Sequence, residues 1–168
     1  MTDLSCRNAG VRLARKDSGQ SNSAPNLPGH PAWIVLGRVS VRSGRLAWPE
    51  EAPYHTPVFV VTHTKRDPWE RPGGTTFQFV NDGIESALLQ AREAARDRDV
   101  RIASGAETIQ EYRDSGLIDE FSITLAPVLF GTGIRLFDRV DPARLALNQA
   151  RTDASSRVTH LTYTAVKR

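Results

Sequence analysis

Between Val100 and Phe137 the chain reads VRIASGAETIQEYRDSGLIDEFSITLAPVLFGTGIRLF, and this stretch restricts the fold more than any other. An apolar alternation (Val100, Ile102) predicts a strand. A small-residue turn, Ser104-Gly105, leads into a helix predicted over Ala106 to Ser115, and Gly116 stops it. Gly116 at the position after the cap, with Leu117 folding back on Tyr112, predicts a Schellman end. Phe121, Ile123 and Leu125 then alternate with Ser122 and Thr124 as a second strand up to Pro127. A strand that turns through small residues into a helix exposes backbone N–H groups at the positive end of that helix, which is a site for an anion such as a cofactor phosphate.

Upstream the same grammar repeats. Trp33–Leu36 and Val58–Val61 are short continuous apolar runs of the kind that form strands buried on both faces. Thr75 to Val80 follows the Pro72-Gly73-Gly74 break as another strand. A helix is predicted to begin near Ile84, where Asp82 and Glu85 have capping-box spacing and Ile84, Ala87, Leu88, Ala91 and Ala95 share one face. Late strands are expected at Leu145–Leu147 and Val158–Val166. The pattern as a whole is α/β: a mixed, mostly parallel sheet flanked by helices, with late antiparallel strands.

Residues 1–30 are different. They are polar, hold Ser, Asn, Gly and Pro, and show one apolar alternation at Val11 and Leu13, so they are expected to be disordered or atypical, ahead of a domain over 31–168. The formal charge of +3 concentrates there: Arg7, Arg12, Arg15 and Lys16 against Asp3 and Asp17 give +2, leaving +1 for the rest. Without a basic stripe elsewhere, nucleic acid is not an expected partner. No apolar run is long enough to span a bilayer, so no membrane partner is expected either. The lone Cys6 suits a reducing cytoplasm and excludes a Cys-rich metal site, and the four histidines lack metal-ligand spacing.

Three loops after apolar strands have the chemistry of phosphate ligands. Ser104, Gly105, Ala106, Glu107 and Thr108 form the helix-start turn. Gly37 and Arg38 follow the first strand, where Arg38 can clamp a phosphate or stand as a solvated turn residue. Thr62 and His63, with Thr64, Lys65 and Arg66, offer hydroxyl, imidazole and cationic donors, suited to the 2′-phosphate of NADP. No nucleophile elbow or P-loop is present.

Four segments, GRVSVRSGRLAWPEEAPYHTPVFVVTH, GGTTFQFVNDGIESAL, VRIASGAETIQEYRDSGLIDEF and APVLFGTGIRLFD, taken in this order, resemble the dihydrofolate-reductase-like family. The branch they are most similar to is the C-terminal reductase domain of bacterial riboflavin biosynthesis, over about residues 33 to 166. The resemblance implies NADPH across the carboxyl ends of the central strands, its pyrophosphate on Ser104–Thr108 and its adenosine-side phosphates on Gly37, Arg38, Thr62 and His63. It implies a small heterocyclic substrate bordered by Pro127, Leu129 and Gly131, a homodimer, and hydride transfer as the chemistry. The alternative is a non-catalytic nucleotide-binding relative. Two departures stand out: Ser104 replaces the first of the family's two adjacent glycines, and residues 1–30 lack the family's apolar opening strand and its Ser-x-Asp-Gly loop. Either Val11–Ala14 supplies a substitute strand, or that half of the site is missing, for instance through a misassigned start or an upstream frameshift. No catalytic residue follows from the sequence.

Overall fold

The computed structural model describes residues 10–13, 33–36, 55–96, 98–129 and 131–167. The chain divides into two compact units, Ala14–Arg101 and Met1–Leu13 with Ile102–Arg168.

In the unit Ala14–Arg101 the strands are β2 (Trp33–Leu36), β3 (Val58–Val61), β4 (Trp69–Arg71) and β5 (Thr75–Val80), in the lateral order β4-β5-β3-β2. β3 is parallel to both neighbours, with Val58 opposite Ile34 on one side and Phe77 on the other. All of Val58, Phe59, Val60 and Val61 are buried. This explains why the run carries no polar alternation: a central strand covered on both faces has no side for water. β4 was not expected from the sequence. It pairs antiparallel with β5 through a turn in which Gly73 and Gly74 have φ of 86° and 83°, and Trp69 packs on Phe77 with ring centroids 5.5 Å apart.

Helix α1 (Ile84–Ala95) buries Ala87, Leu88, Ala91 and Ala95, lying over β2 and β3. Its start corrects the capping-box expectation. Gly83 is the N-cap, with φ 106° and ψ 177° and no side-chain cap, while the Asp82 carboxylate accepts from Ser86 Oγ at 2.8 Å. A chain entering the helix at that positive φ favours glycine, which displaces the acidic residue one place upstream.

In the other unit the strands β1 (Gly10–Leu13), β7 (Glu120–Leu125), β8 (Leu145–Ala154) and β9 (Thr159–Lys167) lie in the order β1-β7-β9-β8, antiparallel at every step. Thus Gly10–Leu13, inside the segment expected to lack order, forms a strand, with Val11 opposite Phe121. The mixed α/β class holds. The late antiparallel strands are present, and the parallel pairings whose register is described are β2–β3 and β3–β5. β6 (Val100–Ala103) carries the division between the units and leads into helix α2 (Ala106–Asp114). Ile109 and Tyr112 of α2, with Ile118 and Phe121, are each at most 2% exposed and belong to this unit's core.

Candidate functional site

The site begins with the two ends of α2. At its carboxyl end Gly116 has φ 65°, its N–H donates to the Arg113 carbonyl at 2.9 Å, and the Leu117 N–H donates to the Tyr112 carbonyl at 2.9 Å. That is the expected Schellman end, and it anchors the helix against a core in which Tyr112 is fully buried. Burial pushes the Tyr112 phenol pKa up, with a further upward push from the neighbouring Glu111 charge.

The amino end differs: among the described residues no side chain caps it. Gly105 is the N-cap, in extended backbone (φ −67°, ψ 166°), and no side chain caps the helix. The first helical bond runs from Ile109 N–H to the Gly105 carbonyl at 3.3 Å, so the N–H groups of Ala106, Glu107 and Thr108 have no partner inside the helix. A Cβ placed on Gly105 meets nothing within 4 Å, so there is open space beside the amides. Of the residues expected here, Ser104 is half-buried, Gly105 and Glu107 are exposed, and Ala106 and Thr108 are buried at 7% and 6% exposure. Thr108 lies with Ile109 and Tyr112 among the buried residues of the helix, so what it offers an anion is its backbone N–H.

The segment after β7 is brought alongside this helix. Gln110 Nε2 donates to the Arg135 carbonyl at 2.8 Å, and Arg113 donates from Nη1 to the Leu136 carbonyl and from Nη2 to the Asp138 carbonyl, each at 2.9 Å. The partners advance in the same direction as the helix, from Arg135 at Gln110 to Asp138 at Arg113. Pro127, Leu129 and Gly131 are all exposed; Leu129 is wholly so, at 101%. Sequence reasoning missed Gln110 and Arg113, because a side chain that binds main-chain carbonyls leaves no motif.

In the other unit Thr62 and His63 follow β3. The Thr62 N–H extends the ladder to the Val80 carbonyl at 2.9 Å, and its Oγ1 accepts from Thr64 N–H at 3.2 Å. His63, Thr64, Lys65 and Arg66 are exposed, with the Arg66 guanidinium 5.8 Å from the Phe79 ring centre. Gly37 and Arg38 lie outside the described residues. The remaining described histidines have local roles: His55 Nδ1–H donates to the Gly73 carbonyl at 2.7 Å, and His160 Nδ1 is 3.0 Å from Thr124 Oγ1. Among the described residues no His, Cys, Asp and Glu side chains gather as a metal-ligand set, and no helix is long and apolar enough to cross a membrane.

Parallel strands under a helix, and a second helix that follows a strand with no side-chain cap at its start, define a mixed α/β protein. The chain belongs to the RibD C-terminal domain family, whose pattern it matches over residues 30–161. It is 29% identical over 104 residues to YwjB, an uncharacterised protein of Bacillus subtilis (strain 168); the match spans 62% of this chain and 57% of that protein. A crystal structure from Shewanella sp. PV-4, of a protein provisionally assigned to riboflavin biosynthesis, superposes with a TM-score of 0.54 at 26% identity, covering 80% of this chain and 73% of that one. RibD of Acinetobacter baumannii shares the fold, with a TM-score of 0.51 at 16% identity over 81% of this chain and 47% of its own.

Proposed function

We propose that this protein is an NADPH-dependent reductase acting on a small heterocyclic substrate, of the pterin or ribosylaminopyrimidine kind. The observation that carries the reading is the amino end of α2: backbone N–H groups with no partner inside the helix and no side-chain cap, beside free space at Gly105, after a strand. Those groups suit a pyrophosphate, since amides fixed at a helix start present partial positive charge without needing a side chain to move. Ser104, Gly105, Ala106, Glu107 and Thr108 hold it, through the backbone in the case of Ala106, Glu107 and Thr108. Ser104 in place of a glycine adds a hydroxyl to the turn.

Pro127, Leu129 and Gly131 border the reacting rings. Leu129 and Val128 are exposed apolar side chains, a surface suited to the face of a planar heterocycle. For the adenosine-side phosphates, the support is the resemblance and the donor chemistry of Gly37, Arg38, Thr62 and His63, with Lys65 and Arg66 adding positive charge where a NAD-preferring site would present a carboxylate. When bound, NADPH supplies the hydride; the residues of this chain bind, orient and shield. Membership of the RibD C-terminal domain family and the riboflavin-biosynthesis naming of the Shewanella neighbour support the substrate class.

Titration of the purified chain with NADPH and NADH by fluorescence tests the cofactor. Saturation near micromolar NADPH with weaker NADH binding is expected, and an absence of saturable NADPH binding removes the proposal. A panel of pterins and ribosylaminopyrimidines, followed by loss of NADPH absorbance, tests turnover. Binding without oxidation across that panel would replace the reductase by a non-catalytic nucleotide-binding protein.

A further inference from the structure

Among the described residues, the strap Arg135–Asp138 makes few backbone contacts of its own. The backbone hydrogen bonds described for residues 126–138 are local: Val128 N–H to the Ala126 carbonyl and Asp138 N–H to the Arg135 carbonyl. Val128, Leu129 and Ile134 are 55%, 101% and 67% exposed, so the preceding loop gains little from burial. Phe137 contacts Phe121 edge-on with ring centroids 5.6 Å apart. The ties described from α2 are side chains: Gln110 on Arg135, and Arg113 on Leu136 and Asp138.

Arg113 is chemically costly for such a place. Its side chain is 3% exposed, and its Nε also donates to Asp114 Oδ1 at 2.8 Å. Burying a guanidinium forfeits hydration, and an apolar residue would often hold a loop as well or better on stability grounds alone. What the guanidinium provides is geometry, because a rigid planar fork reaches two carbonyls two residues apart and fixes their register along the helix.

We infer that Gln110 and Arg113 are positioning residues: together they fix the register of the Arg135–Asp138 strap on α2 and so restrain the exposed residues 131–134 that lead into it and Pro127–Leu129 before them, which the proposed function sets against the reacting rings. The inference rests on the NADPH reading only for its functional consequence, which is that the ties order the end of the ligand that meets the loop and leave the end held by the helix amides untouched.

Gln110→Leu and Arg113→Lys in the full chain test it by two measurements. The first is amide hydrogen exchange. Faster exchange confined to peptides covering residues 127–138, with α1 unchanged, is expected, more for Arg113→Lys than for Gln110→Leu. The second compares NADPH with 2′-phosphoadenosine diphosphoribose, which lacks nicotinamide. Gln110→Leu is expected to weaken NADPH by about fivefold, the scale of one lost hydrogen bond, and to leave the nicotinamide-free ligand within about twofold. Exchange that rises equally in α1, or equal weakening of both ligands, would overturn the inference by showing a general loss of stability. If the unaltered chain binds neither ligand, the NADPH reading fails while the exchange pattern still decides the positioning role. Gln110 is half-buried, so its variant is the milder one and keeps the test open if Arg113→Lys does not fold.

Discussion

Ala106→Pro separates what the amino end of α2 does for the fold from what it does for a ligand. Ala106 is the first helical residue, and its N–H lies ahead of the first helical bond, which is made by Ile109. Proline at this position therefore removes no intrahelical hydrogen bond, and its fixed φ already suits the helix. Proline also restricts the residue before it to extended backbone, which is where Gly105 already sits, at φ −67° and ψ 166°. The folded state should change by no more than about 1 kcal/mol in either direction, with some gain from a stiffer unfolded chain. The ligand, by contrast, loses one N–H donor to a charged oxygen, worth about 1.5–3 kcal/mol. That is about a tenfold to hundredfold weaker Kd. The assay is paired: urea midpoints for stability, and fluorescence titration with NADPH, with inorganic pyrophosphate as competitor. Unchanged NADPH and pyrophosphate affinity in a variant of normal stability would refute the assignment of the helix amides to the phosphates.

Three further outcomes follow from the same geometry. Gly116→Ala should destabilise by about 1–2 kcal/mol, read as a lower urea midpoint at constant slope; open space surrounds the position, so the whole effect comes from its φ of 65°. Ile102, fully buried, should cost about 2–5 kcal/mol on replacement by Ala; a value under about 1 kcal/mol would mean that the core can close over the cavity. Tyr112 gives a pH dependence: because burial raises its folded pKa above the ordinary 10.0, its stabilisation is complete below that value and is lost as pH rises beyond it. The slope is about 1.4 kcal/mol per pH unit while only the unfolded chain ionises, and Tyr112→Phe should abolish that component between about pH 10 and pH 11 in urea titrations.

Where the sequence was legible, the reason is local chemistry. Gly116 followed by Leu117 has few uses other than ending a helix, and the buried run Val58–Val61 needs a central strand. Asp82 was misread because serine, threonine and aspartate all score as caps, whereas Gly83 holds a φ of 106° that only the folded path reveals. β4 escaped because Trp69-Glu70-Arg71, between Pro68 and Pro72, is too short to show a period. β8 runs on through Asn148, Gln149, Arg151 and Thr152, polar residues that look like loop until β9 pairs with them across a bulge. For the site, the phosphate turn was visible because helix starts follow simple rules. The ties from Gln110 and Arg113 were not, since main-chain carbonyls are present at every position and sequence does not say which one a side chain will meet.

The bare N-cap at Gly105 bears on how this protein should be engineered. Its backbone already sits in the region that serine and aspartate occupy as caps, with room for a side chain. Gly105→Ser or Gly105→Asp would thus be a plausible hit in any selection for heat resistance, worth at most a few tenths of a kcal/mol by capping. The same hydroxyl or carboxylate would occupy the amides from inside the molecule and, for aspartate, repel an incoming phosphate. A stabilised library chosen without a ligand in the buffer would drift toward self-capped helices that have traded their binding end for melting temperature. Selection in the presence of pyrophosphate reverses that pressure.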